Sequence, residues 1–386
     1  MIEFLSPKLK GFGLDISDLS LKILEFKEKK SLFTKKEKIY VKSYLHKKLE
    51  KGIIEKGEIK KEKILSQAIK EALLGVKGER LKTKYVVVSL PEEKSFLRII
   101  SLPKMKPQEA KKAAFFEAEN YIPLSLEEVY VDSEVISPLD DKLDHLDVLI
   151  VAVPKKIVDS YTRVIKKAGL VPLALEVESF AIVRAVVKKE RSEKPLLIID
   201  FGETRTSFVI FSGKSIKFTS TTSSLSSALL TKIISQKLNI SFKEAERLKK
   251  KYGISPIKKV HLKEKTGNNI LEKEIVKNQK ILEILQPPLE NLTKEIKKCI
   301  EFYSSHRESE LSVKKREIEE VILVGGGANL KGLPKYLSEK LNLKVYRGNP
   351  WVNIFSEKIS PPFSLEESLS FTTAIGLAKR ALREVI

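Results

Sequence analysis

The sequence predicts an α/β protein divided into two to four lobes, and three observations carry that reading. At 386 residues the chain is too long for one small core. The pattern of apolar strand, Asp, small-residue turn and second strand occurs twice, over 12–26 and again over 196–211. Between these repeats, residues 84–170 alternate strand and helix patterns as a small α/β unit of their own.

In chain order, Phe12–Ile16 and Leu21–Phe26 read as two strands joined by the tight turn Ser17-Asp18-Leu19-Ser20. A third strand is expected near Lys38–Tyr44, then a loop through Gly52 and Gly57. A helix near Lys61–Leu74 repeats apolar residues at steps of three and four. In the small unit, strand Tyr85–Leu90 precedes strand Phe96–Ser101. Pro107 suits the first turn of a helix whose apolar face is Ala110, Ala114, Ala118 and Tyr121, and Pro123 ends it. Strands Val129–Ile136 and Asp147–Val153 follow, and helix Ile157–Ala168 stops at Gly169.

Beyond Leu170, Leu196–Asp200 and Ser207–Phe211 form the second hairpin around a Gly-Glu-Thr-Arg-Thr turn. Ser226–Leu238 and Phe242–Lys250 read as helices, and the Lys/Glu-rich stretch Ser255–Lys280 is expected to be mobile. Pro287-Pro288 is expected to begin a helix that runs to about Ser304. Val321–Val324 reads as a buried strand that empties into Gly325-Gly326-Gly327.

Composition narrows the class. Hydrophobic residues are 42% and aromatics 7%, ordinary for a folded α/β chain and too apolar for a disordered one. A single cysteine, Cys299, excludes an internal disulfide, and with four histidines it disfavours a structural zinc site. The longest apolar runs, as at Leu196–Ile199, have strand length, far short of the ~20 residues of a membrane helix. No secretion signal is read at the N-terminus, so a cytoplasmic protein is expected. Net charge is +21, and Lys27–Lys84 hold 19 Lys/Arg against 8 Asp/Glu. That segment lacks interleaved aromatics or an Arg-rich motif. It reads as solvated lysine surface before it reads as a lipid or nucleic-acid contact.

The two Asp-bearing hairpins and the glycine turn share a chemistry. Turn amides grip phosphates from two sides, an Asp at each turn holds the waters of a Mg²⁺ ion, and glycines let backbone approach a nucleoside. Gly13-Leu14-Asp15-Ile16, Ile199-Asp200-Phe201-Gly202 and Val324-Gly325-Gly326-Gly327-Ala328-Asn329-Leu330 resemble the phosphate and adenosine motifs of the actin/Hsp70/sugar-kinase superfamily. Leu102-Pro103-Lys104-Met105 with Phe116–Pro123, Ala168–Pro172 leading to Glu176–Ala181, and Thr373–Ala378 narrow the resemblance. They point to the PilM family of type IV pilus assembly proteins, relatives of FtsA with an SHS2-type small domain.

That resemblance implies two lobes around a nucleotide cleft. The first lobe is expected over 1–83 and 171–195, the inserted small domain over 84–170. The second lobe would span 196–386, with its outer part at 226–310 and a final helix returning to the first lobe. ATP or ADP with Mg²⁺ is the implied ligand. Asp15 and Asp200 match the metal-water aspartates, and Gly202 and Thr206 match the second phosphate turn. Gly325, Gly326, Gly327 and Leu330 match the nucleoside turn. Glu246 and Lys249, three apart on one helix face, match the ribose and adenine pair, or else form an ordinary surface contact. Glu178 falls where relatives position an attacking water, or it caps a helix. Ser17 stands where the family has glycine and Asp18 where it has a hydroxyl; either Ser20 supplies the hydroxyl, or Asp18 binds a cation, or the turn has lost its phosphate role. Asp18 then either faces the triphosphate or satisfies its own turn amides. The implied partners are the cytosolic N-terminal peptide of a PilN-like membrane protein, pilus motor ATPases and a second copy of the chain, with no specific nucleic acid. The expected role is a scaffold at the inner face of the membrane and at most a weak ATPase. An FtsA-like division protein, disfavoured by the absence of a terminal amphipathic tail, and a kinase of the same superfamily are the alternatives.

Overall fold

The computed structural model describes residues 10–30, 37–136, 145–255, 268–305, 317–355 and 361–383. The chain opens with β1 (Phe12–Ser17), β2 (Ser20–Lys30) and β3 (Glu37–Lys48). A small hairpin of β4 (Ile54–Glu55) and β5 (Glu58–Ile59) precedes α1 (Glu62–Leu74), β6 (Lys77–Gly78) and β7 (Tyr85–Leu90). Next come β8 (Phe96–Pro103), α2 (Pro107–Glu117), β9 (Val129–Ile136), β10 (His145–Pro154), α3 (Lys155–Lys167), β11 (Val171–Val177) and α4 (Glu178–Val186). The second half holds β12 (Ser192–Phe201), β13 (Thr206–Gly213), β14 (Ser215–Thr222), α5 (Ser227–Leu238), α6 (Phe242–Tyr252) and α7 (Asn268–Ser305). It ends with β15 (Glu320–Val324), α8 (Leu333–Leu341), β16 (Lys344–Arg347), α9 (Leu365–Ser370) and α10 (Thr372–Arg383).

Two large sheets make the two lobes. The first has the order β11-β7-β1-β2-β3-β6, the second β14-β13-β12-β15-β16. In each, an antiparallel hairpin, β1–β2 or β12–β13, lies beside a parallel neighbour, β7 or β15. The strands alternate: Phe12, Leu14 and Ile16 point into a core with Leu65 and Ile69 of α1 and Tyr161 and Val164 of α3. Gly13 faces the other way, where a Cβ would lie 2.5 Å from the Ala378 amide nitrogen. Helix α10 therefore lies directly on β1 and against α4, returning the chain's last described helix to the first lobe.

Three elements differ from expectation. Strand β7 lies inside the first sheet, between β11 and β1, and α3 packs in its core, so the small unit is narrower than 84–170. It consists of the three-stranded sheet β8-β10-β9 and α2, closed over Ala110, Ala114 and Ala118. Tyr121 leaves that face and is 47% exposed; Ile122 takes the buried place. Residues 268–280, expected to be mobile, are helical, whereas 256–267 lie outside the described residues. Pro287 and Pro288 do not start α7 but lie within its 38 residues. Ile281, Leu285, Leu289, Leu292 and Ile296 continue one buried stripe through them. That burial outweighs the backbone hydrogen bonds the prolines cannot make.

Candidate functional site: a cleft between the two hairpins

The cleft has a volume of about 330 Å³, and its walls come from both lobes. A two-residue turn, Asp18-Leu19, closes β1–β2 and sets Ser17 opposite Ser20, hence Asp15 opposite Lys22. Asp15 is buried; Lys22 Nζ donates to its Oδ2 at 3.0 Å and Ser89 Oγ to its Oδ1 at 3.2 Å. Ser17 and Ser20, whose hydroxyls are 2.9 Å apart, line the same wall.

The opposite wall is built the same way in β12–β13. Asp200 is the last-but-one residue of β12 and pairs in register with Val324 of β15. Its carboxylate therefore lies beside the glycine turn, and a Cβ on Gly325 would fall 2.2 Å from Asp200 Oδ1. Gly325 also has φ +81°, open to glycine. Gly327 is equally confined, by Phe201, while nothing stands within 4 Å of a Cβ on Gly326. Gly325 is thus fixed by packing, and Gly326 leaves open space over the cleft. Burial first, and then the Glu178 charge, push the Asp200 carboxyl up to about 7.

A further wall of the cleft is formed by α5 and α6. Lys249 is buried, and its ammonium donates to the Ser227 carbonyl and hydroxyl and to Thr231 Oγ1, each at 2.8 Å. It also pairs with Glu246 at 2.7 Å. Burial raises the Glu246 pKa, but hydrogen bonds from Lys249 and Thr231 outweigh it and hold the carboxyl down at about 2. Both residues line the cleft, so the i,i+3 pair is a mutual contact and a wall of the site together.

Of the residues singled out from sequence, Asp15, Ser20, Glu178, Asp200, Gly202, Glu246, Lys249 and Gly325–Gly327 line one cleft. Thr206 and Leu330 do not. Thr206 is fully buried and donates to the Leu225 carbonyl at 2.8 Å, because it is the first residue of β13 and the pleat turns it inward. Leu330 packs in the core of the second lobe. Asp18 also misses the cleft, and neither reading of it holds. It accepts hydrogen bonds from the amides of Lys56 and Gly57 at 3.2 and 3.1 Å, across to the β4–β5 turn. Sequence reasoning overlooked Lys22 and Arg205. The first follows from the hairpin register once the turn is fixed at two residues. The second stood in the Gly-Glu-Thr-Arg-Thr turn, where an arginine beside a phosphate-type loop was the available signal.

Glu178 does begin α4, and it is occupied: Arg205 Nη2 donates to its Oε1 at 2.6 Å, and the Glu92 amide to its Oε2 at 3.3 Å. Among the described residues, no group of three or more His, Cys, Asp or Glu is placed to hold a metal directly. The donor set of Asp15 and Asp200 fits a cation held through water.

A family model described as type IV pilus assembly protein PilM matches residues 13–260, and one for cell division protein FtsA matches 197–376. The cell division protein FtsA of Enterococcus hirae is 26% identical over 202 residues, 51% of this chain and 43% of that protein. The match thus spans less than half of that relative's length. A solved PilM-PilN type IV pilus biogenesis complex superposes with a TM-score of 0.74 at 27% identity, over 98% of this chain and all of that one. MreB5 of Spiroplasma citri bound to ADP shares the fold, with TM-score 0.52, 14% identity, and coverage of 96% and 95%. The two-lobed fold is therefore the actin-like one.

Proposed function

The chain belongs to the family of type IV pilus assembly protein PilM, and from that premise we propose that it is a nucleotide-binding scaffold of pilus assembly. Its cleft takes MgATP or MgADP, and its first lobe and small unit hold the cytosolic N-terminal peptide of a PilN-like membrane protein. The observation that carries the nucleotide reading is the convergence of Asp15, Asp200 and the Gly325–Gly327 turn on one cleft. Asp15 and Asp200 would hold the waters of Mg²⁺, which neutralises the phosphates, and Lys22 would balance phosphate charge. The open backbone at Gly326 admits the base, and Glu246 stands beside the ribose. Ion pairing of Glu178 to Arg205 supports slow hydrolysis or none, since a carboxylate bound to a guanidinium is a poor acceptor for a water proton.

For the peptide, the support is the family match and the seam between small unit and first lobe. There Tyr130 of β9 is half exposed and its hydroxyl donates to Asp159 of α3 at 3.1 Å. No helix among the described residues is long and apolar enough to cross a membrane, so membrane attachment through this partner fits. The FtsA-type match covers only 197–376, leaving out the small unit. A specific peptide contact would bury roughly 1,000–1,600 Å². A pull-down with the full chain from solubilised membranes is expected to recover a bitopic pilus protein whose N-terminal peptide competes for binding. Recovery of division proteins without any pilus component contradicts the proposal.

A further inference from the structure

We propose that Arg205 is the residue by which this cleft distinguishes a nucleoside triphosphate from a diphosphate, and that Glu93 and Glu178 pass the distinction to the small unit. This rests on the nucleotide reading above. Arg205 belongs to the second lobe's turn, where Gly202 N–H donates to the Arg205 carbonyl at 2.9 Å and fixes its backbone. Its side chain reaches across the cleft wall into the first lobe and meets three carboxylates. They are Glu178 at the start of α4 at 2.6 Å, Glu93 at 3.4 Å and Asp18 at 3.6 Å. Only 7–15% of each of these four side chains is exposed.

One guanidinium is shared among three carboxylates, of which Glu178 and Asp18 are buried and Glu93 half-buried, and only the Glu178 contact is tight. The forked donor set of arginine matches phosphate oxygens in a bidentate way. A terminal phosphate entering the turn offers Arg205 a better partner than Glu93 or Asp18, and it competes for the fork with Glu178. A diphosphate lacks that group. Once Arg205 shifts, Glu178 and Glu93 lose their shared counter-charge and repel. They are not independent, because Glu92 N–H donates to Glu178 and Ser179 N–H donates to Glu92 Oε2 at 3.0 Å. The 92–94 turn leads through Ser95 directly into β8, the first strand of the small unit. Loosening there frees the hinge on which the small unit sits.

The test is calorimetric titration of the full chain with Mg²⁺ and either AMP-PNP or ADP, for the parent, Arg205→Lys and Glu178→Gln. Arg205→Lys keeps the charge and loses the fork; AMP-PNP affinity is expected to fall about tenfold and ADP affinity to change less than about twofold. Glu178→Gln releases the fork and should raise AMP-PNP affinity about threefold or more with little effect on ADP. Amide exchange over 92–96 should be faster with AMP-PNP than with ADP in the parent, and that difference should vanish in Arg205→Lys. Equal changes for both nucleotides, or identical exchange with both, overturn the inference while leaving nucleotide binding intact. A parent chain that binds neither nucleotide overturns both readings.

Discussion

Asp18 of the first hairpin accepts from the Gly57 amide at 3.1 Å, a contact across 39 residues that ties the would-be phosphate turn to the β4–β5 hairpin. Lys56 and Gly57, the two residues of that second turn, have φ of 49° and 74°, as a tight two-residue hairpin requires. Tyr161 of α3 donates to the Gly57 carbonyl at 3.1 Å, so turn, hairpin and helix are joined through Gly57. Asp18→Ala leaves two turn amides without their acceptor. It should cost about 1–3 kcal/mol in denaturant unfolding and raise amide exchange at 56 and 57. Unchanged stability would mean that the carboxylate is held there without contributing.

The small unit should be separable along the boundaries the sheets define. Phe96 of β8 and Ala152 of β10 are cross-strand partners, so the two ends of the unit lie side by side. Excision of 97–151 with a short glycine link should leave a remainder that unfolds cooperatively by calorimetry. Excision of 85–170 removes β7 from between β11 and β1 of the first sheet, and α3 from its core, and should leave no cooperative transition.

Gly376 has no room for a side chain. A Cβ there would lie 1.8 Å from the Ala181 carbonyl oxygen, where α10 crosses α4. Gly376→Ala should therefore force the helices apart and cost about 2–4 kcal/mol, read as a lowered Tm. Gly169 is the reverse case, with φ +84° but no atom within 4 Å of its would-be Cβ, so it reports backbone strain without a clash. Gly169→Ala should cost only about 1 kcal/mol.

Asp200, half-buried in the cleft wall, predicts a pH trend in the ligand-free chain. Its folded pKa of about 7 lies above the ordinary 3.8, so the folded state holds the proton more tightly than the unfolded one. The favourable contribution is complete below about pH 4 and is lost as pH rises toward 7, up to about 1.4 kcal/mol per unit. Asp200→Asn should flatten this fall, gaining stability relative to the parent at pH 8 and little at pH 4. Parallel stability curves across that range would show that Asp200 ionises freely in the fold.

Much of this was legible in the sequence, and the reasons differ by residue. Asp15, Asp200 and Gly325 stood out because each lies within two residues of a strand's end beside a turn, a pattern that chain order alone preserves. The same pattern misled at Thr206 and Leu330, where one step of strand pleat or one turn of backbone decides whether a side chain faces cleft or core. Lys22 and Arg205 owe their places to pairing across strands and between lobes. Helix α7 passes through Pro287-Pro288 because a buried stripe on both sides of them supplies what local propensity withholds. The small unit's edge was misplaced because β7 and the strands after it look alike until sheet order separates them.

Binding of an adenine nucleotide in the cleft is tested most cleanly at Gly326. A Cβ there meets no atom within 4 Å beyond its chain neighbours, and Gly326 lines the cleft, so Gly326→Leu should obstruct the site without disturbing the fold. Titration of the full chain with MgATP and MgADP should show one saturable site in the parent. In Gly326→Leu affinity should fall at least about tenfold, with Tm within about 2 °C of the parent. Equal affinity in the two proteins, or no binding heat in the parent, would contradict the account.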